Sequence, residues 1–120
     1  MSVETELTRV LSAWAAASVV AGLALCVDPR TRGFGRQTAA WGAVDGAIAA
    51  VGVRGRRREG PTDPARLRRV LLVNAGLDVG YLAVGARLAR SDRWHGDGLA
   101  VVVQGAFLLV LDTTAARRLR

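Results

Sequence analysis

The stretch QTAAWGAVDGAIAAVGV, Gln37 to Val53, decides how the chain is read. It is apolar enough to sit in lipid, yet it carries an aspartate at its centre. Gln37, Trp41 and Asp45 are four residues apart, so on a helix they share one face. Gly42 and Gly46 form a small-xxx-small pair on a different face. A similar polar spacing recurs near the other end of the chain, where Gln104 and Asp112 bracket GAFLLVL.

Working outward, the chain alternates between apolar runs and arginine clusters. Hydrophobic residues make up 51% of its 120 residues, and all seventeen basic residues are arginine. The charges gather in Asp28–Arg36, Arg54–Arg69, Arg87–Asp97 and the tail Arg117–Arg120. Between them lie Val10–Val27, Gln37–Val53, Val70–Ala86 and Leu99–Ala116. Each is close to the roughly 17–25 residues that cross a hydrocarbon core. A soluble four-helix bundle needs a charged face on each helix, and these runs have almost none. The expected fold class is all-α: a four-transmembrane-helix bundle in one domain, residues 1–120. Its spans fall near residues 7–27, 37–53, 67–88 and 99–116. A soluble bundle rich in Ala and Gly is the competing reading.

The local signals fit this outline. Ser2 or Thr5 can cap the first helix. Ala13, Ala17 and Ala21, with Ser18 and Gly22, give the first span small residues at four-residue spacing, which allows close helix approach in lipid. Trp14 packs in the bundle or faces lipid. The single Cys26 allows no internal disulfide. Leu25 before it and the acidic Glu4 and Glu6 argue against a cleaved signal. Asp28-Pro29 stops the first span. Gly33-Phe34-Gly35 reads as loop, without the preceding strand that a phosphate-binding loop requires. Pro61 and Pro64 mark a turn, and Thr62 or Asp63 can cap the helix that follows. Trp94 reads as an interfacial anchor. His95, beside Asp97 alone, is far short of a metal-site signature, and no cofactor motif is present.

The two halves align as tandem helical hairpins in a parallel repeat. Leu7-Thr8-Arg9-Val10-Leu11 matches Leu67-Arg68-Arg69-Val70-Leu71, and Gln37 and Asp45 match Gln104 and Asp112. Hairpins with the same topology would be related by an axis along the membrane normal. Arg54, Arg56, Arg57, Arg58, Arg66, Arg68 and Arg69 lie in the middle connection, and the tail is basic too. Positive residues stay inside, so the middle connection and both termini are expected in the cytoplasm of a multi-pass cell-membrane protein. The same arginines suit anionic lipid headgroups. The run lacks interleaved aromatics and a reading helix, so nucleic acid is not an expected partner.

WGAVDGAIA, LRRVLLVNAGLDVGYLAVG and VVVQGAFLLVLD together resemble a family of small, uncharacterised bacterial four-helix membrane proteins, a domain of unknown function. The likeness runs from Gln37 to Asp112. It rests on Trp41, Gly42 and Asp45, on Asn74, Asp78 and Tyr81, and on Gln104 and Asp112. It implies a fold and a set of positions, not a chemistry. The chain has the length of a small multidrug transporter, but its first span lacks the carboxylate such transporters carry.

The candidate site is thus an intramembrane polar cluster of Gln37, Trp41, Asp45, Asn74, Asp78, Tyr81, Gln104 and Asp112. No basic residue lies inside the apolar runs Gln37–Val53, Val70–Ala86 and Leu99–Ala116. Arg66, Arg69 or Arg117 is placed to reach Asp112 alone. A lone carboxylate at membrane depth costs a few kcal/mol. It stays protonated, hydrogen-bonds to its polar neighbours, or binds a proton or cation in transit. As interhelical glue it makes the protein a scaffold or accessory subunit of a larger membrane complex. Buried without a cationic partner, Asp45 and Asp78 are expected to face the bundle interior with at least one of them neutral, so that Asp45→Asn folds and Asp45→Leu does not. As a relay the carboxylate makes the protein a small proton- or cation-coupled transporter or channel. No serine, cysteine or histidine nucleophile system is visible, so no enzyme chemistry is assigned. Gly42, Gly46, Gly76 and Gly80 are the expected helix-packing residues. Gly76 and Gly80 lie nearly opposite Asn74, Asp78 and Tyr81, which points to a homo-oligomer.

Overall fold

The computed structural model describes residues 2–119; Met1 and Arg120, the last residue of the basic tail, lie outside the described residues. Four helices account for nearly all of them: α1 Val3–Leu25, α2 Arg32–Glu59, α3 Pro64–Ala89 and α4 His95–Arg118. No strand occurs among the described residues. Three helices, α1, α3 and α4, are long and apolar enough to cross a membrane by length and composition. The longest, α2, is not among them. It carries Gln37, Asp45 and a basic last turn within its 28 residues. The bundle is 45 Å long and 25 by 18 Å across. That length is close to the ~40–45 Å of a bilayer with its headgroups.

The helices outrun the apolar runs. Ser2 caps α1, its hydroxyl accepting from the Thr5 amide at 3.1 Å. Asp63 occupies the cap position of α3 but makes no side-chain bond there. The middle connection is short: only residues 60–63 are outside a helix, with Gly60 at φ 81° after α2. Arg54, Arg56, Arg57 and Arg58 are therefore in the last turns of α2, and Arg66, Arg68 and Arg69 in the first turns of α3, rather than in a loop. Arginine is a good helix former, so a basic run between two spans continues them. Gly33-Phe34-Gly35 is likewise helical and not a loop.

Packing explains those glycines. α1 pairs with α2 and α3 with α4, and the two hairpins meet mainly through α2 and α4. α2 and α3 share no close backbone contact. Within the first hairpin a Cβ on Gly22 would lie 2.7 Å from the Gly35 carbonyl oxygen, and one on Gly35 2.6 Å from that of Gly22. Such a crossing leaves no room for a side chain on either helix. The second hairpin has the same crossing at Gly85 and Gly98, where a Cβ on Gly98 would lie 2.7 Å from the Gly85 oxygen. Further along, Gly42 sits on Val19 and Gly105 on Leu82. Every one of these positions recurs 63 residues later: Gly22 and Gly85, Gly35 and Gly98, Gly42 and Gly105, Val19 and Leu82. The packing register therefore differs from both sequence alignments above. It pairs neither Leu7 with Leu67 nor Gln37 with Gln104, but Trp41 with Gln104 and Ala15 with Asp78.

The hairpins run the same way. Gly96 at the start of α4 would place a Cβ 3.1 Å from the Phe34 amide nitrogen at the start of α2. Beside this contact Arg36 donates to both oxygens of Asp97, at 3.1 and 2.8 Å. At the opposite end Glu6 pairs with Arg118, Glu4 lies 3.8 Å from Arg56, and the Thr62 amide donates to Glu4 at 3.1 Å.

Candidate functional site

The polar residues expected in one cluster divide into two groups and a remainder. The first group is a hydrogen-bonded strut between α1 and α4. Trp14 donates its indole N–H to the Gln104 side-chain oxygen at 2.9 Å, and the Gln104 amide donates to the Ser18 hydroxyl at 3.3 Å. Trp14 also stacks on Phe107, with ring centroids 3.9 Å apart and planes within 6°. Trp14 thus packs inside the bundle, and Gln104 and Ser18 are both buried. Satisfied bonds of this kind fix helix register in lipid.

The second group lines a cavity of about 170 Å³ between the hairpins. Trp41 and Asp45 from α2, Asn74, Asp78 and Tyr81 from α3, and Asp112 from α4 contribute to its wall. The remainder is apolar, including Leu7 and Leu11 of α1. Asp45 is wholly inaccessible, at 0% exposure, and Asp78 and Asp112 are buried. Neither Asp45 oxygen has a hydrogen-bond partner among the described residues, and nor has Asp78 Oδ2. Asp112 lines the same wall as Asp78. None of the ion pairs among the described residues involves these three carboxylates. The expected approach of Arg66, Arg69 or Arg117 to Asp112 is therefore not seen. Trp41 and Tyr81 meet at 5.1 Å with a 59° tilt.

This arrangement is legible in the helix geometry. On α2 the four-residue step brings Trp41 and Asp45 to one side. Asp78 follows Asn74 by the same step, and Tyr81 follows by three. Gln37 is half-buried but lines no part of this cavity. Asp45 makes no hydrogen bond to the described residues that a leucine there would remove. Among the described residues no three His, Cys, Asp or Glu side chains are placed to hold a metal ion together.

The four glycines also divide. Gly42 lies against Ser18, Val19 and Ala15, and a Cβ on Gly46 would lie 3.7 Å from the Ala15 methyl, so both serve the α1–α2 contact. Around Gly76 and Gly80 nothing lies within 4 Å of a would-be Cβ. Arg54, Arg57, Arg58, Arg66 and Arg69 are exposed, whereas Arg56 and Arg68 are partly covered. Trp94 is 39% exposed at the start of α4, with the Arg93 guanidinium 4.9 Å from its ring.

One feature is hidden in the sequence. The buried Asp97 looked like a connection residue, yet it joins α4 to Arg36 of α2. The signal that would have found it is the spacing G-x-G-x6-G, present at Gly33, Gly35 and Gly42 and again at Gly96, Gly98 and Gly105.

No curated protein and no solved structure matches the chain. Residues 10–113 match a family of unknown function, DUF6992, a stretch that takes in most of both hairpins and all three cavity carboxylates. The chain belongs to that family.

Proposed function

We propose that the protein is a four-span integral membrane protein whose carboxylate cavity takes up protons or cations, as a small cation-coupled carrier. One observation carries this reading: Asp45 is fully buried in the cavity beside Asp78 and Asp112, with both oxygens unpartnered. A carboxyl retained as structural glue is bonded to what it holds, as Gln104 is bonded to Trp14 and Ser18. An unbonded buried carboxyl is a stability cost that structure alone does not repay. Such a group in a membrane helix marks an ion or proton path.

In this reading α2 crosses the membrane shielded by α1 and α4, which explains how the least apolar helix can be central. The end bearing Arg54–Arg69, with both termini, faces the cytoplasm. Arg57, Arg58 and Arg69, exposed there, contact anionic headgroups. The common crossing in both hairpins supports an ancestral duplication.

The test compares Asp45→Asn and Asp45→Leu in purified, reconstituted protein. Both variants are expected to unfold at or above the wild-type temperature, while cation-driven charge movement across the vesicle is lost. A drop of several degrees in both, with charge movement retained in the folded fraction, would restore Asp45 to a purely structural role.

A second reading, that of an accessory subunit or homo-oligomer, is favoured by the open glycine face of α3. Gly76 and Gly80 present a groove without a neighbour, and a second copy of the chain is the occupant of choice. Close packing between helices is worth more against protein than against mobile lipid tails.

A further inference from the structure

Building on the cavity as a cation site, we infer that its ligand is a protonated organic amine with a compact apolar or aromatic body, delivered from the lipid. Three features of the wall carry this. The first is charge: Asp45 and Asp78 each aim an unpartnered oxygen into the bundle interior, and Asp112 lines the same wall as Asp78. No Arg, Lys or His lines the cavity. One or two ammonium N–H groups would satisfy those oxygens.

The second is the aromatic pair. Trp41 and Tyr81 line the same cavity from opposite hairpins, 5.1 Å apart and tilted. Ring faces attract a cation within about 6 Å, more strongly when water is excluded. An inorganic ion that keeps its water shell gains little from them. Ca²⁺ takes about six to eight oxygens and Mg²⁺ keeps several waters. Here three carboxylates are not arranged around one point, and most of the wall is apolar.

The third is the mouth. α2 and α3 have no close backbone contact, and the cavity reaches the surface between them. Its exposed lining residues are Val44, Ile48 and Leu77, at 48, 56 and 52% exposure. An opening rimmed by aliphatic side chains at membrane depth admits a lipophilic amine and offers a hydrated metal ion nothing. About 170 Å³ accommodates such a molecule. The polar groups facing Asp45 are Asp78, Asn74 and Tyr81 of α3 and Asp112 of α4. α1 contributes only Leu7 and Leu11. Amine and proton therefore compete for the same carboxyls, and binding tightens as pH rises.

The experiment uses the full chain in lipid nanodiscs and 2-phenylethylammonium as probe, with neutral 2-phenylethanol to correct for partition into lipid. Calorimetric binding is expected for the amine above that background, with proton release. Asp45→Asn should weaken it at least tenfold, Trp41→Leu several-fold, and Trp41→Phe should restore most of the Trp41→Leu loss. Equal binding of amine and alcohol, or no response to Trp41→Leu, would overturn the inference. If sodium or potassium then bound with dependence on Asp45, the cation site would stand and its organic specificity would fall. If nothing bound and Asp45→Asn left charge movement unchanged, both would fall.

Discussion

Gly98→Ala tests the hairpin crossing on which every other feature depends. The new methyl would lie 2.7 Å from the Gly85 carbonyl oxygen and 2.7 Å from the Leu88 carbonyl carbon. Carbon atoms pack best at about 3.5–4.0 Å, so the α3 and α4 backbones must separate locally by roughly 1 Å. These atoms and the Ala89 nitrogen, which the methyl would also meet, are all backbone, so no side chain can rotate away. Overpacking of this kind costs about 1–3 kcal/mol. The gain from replacing glycine by alanine in a helix, about 1 kcal/mol or less, offsets only part of it. Gly55→Ala supplies the control, because nothing lies within 4 Å of that position. Thermal unfolding in mild detergent, followed by circular dichroism, should show Gly98→Ala several degrees below wild type and Gly55→Ala at or above it. Gly35→Ala, the equivalent residue 63 positions earlier, should fall by a similar amount, since its Cβ would lie 2.6 Å from the Gly22 oxygen. If Gly98→Ala matched Gly55→Ala, the close crossing and the shared register would both be wrong.

Reporter domains inserted between Gly60 and Asp63 and fused after the C-terminus should both report the cytoplasm, and a reporter between Cys26 and Thr31 the opposite side; the reverse pattern would invert the topology. Replacing Gly76 and Gly80 by leucine should leave the fold intact, because that face is open, and should reduce the mass measured in detergent from that of a dimer or larger to that of a monomer. A wild-type protein already monomeric would remove the homo-oligomer.

The helices and the carboxylates were legible because each follows from one-dimensional pattern. Apolar runs of spanning length, separated by arginines, leave little but a helical bundle, and all four helices fall on them. The three aspartates stood out because a charge inside such a run has no routine explanation. The boundaries were less legible. Gly33 and Gly35 suggest a loop by propensity, yet they begin α2 because its neighbours approach too closely for any side chain. Tertiary contact there overrides a local cost of up to about 1 kcal/mol per glycine.

What pattern could not give was the partition of the polar residues. Gln104 and Asp112 are eight apart on α4, about 80° apart around the helix at 3.6 residues per turn, as Gln37 and Asp45 are on α2. Depth separates them. Gln104 lies level with Ser18 and Trp14 and is bonded by both. Asp112 lies about two turns further along and lines the cavity with Asp78 instead. The hairpin register decides this, because it sets Trp41 and Gln104, not Gln37 and Gln104, at equivalent positions. In one hairpin that level holds a ring facing the cavity, and in the other an amide that ties α1 to α4. The two hairpins, crossing alike, thus carry unlike side chains at matching points. That asymmetry gathers the carboxylates around the cavity and the satisfied polar bonds at a different depth of the bundle. A symmetric pair of hairpins would have placed a bonded amide at both levels, and the aromatic wall beside Asp45 would not exist.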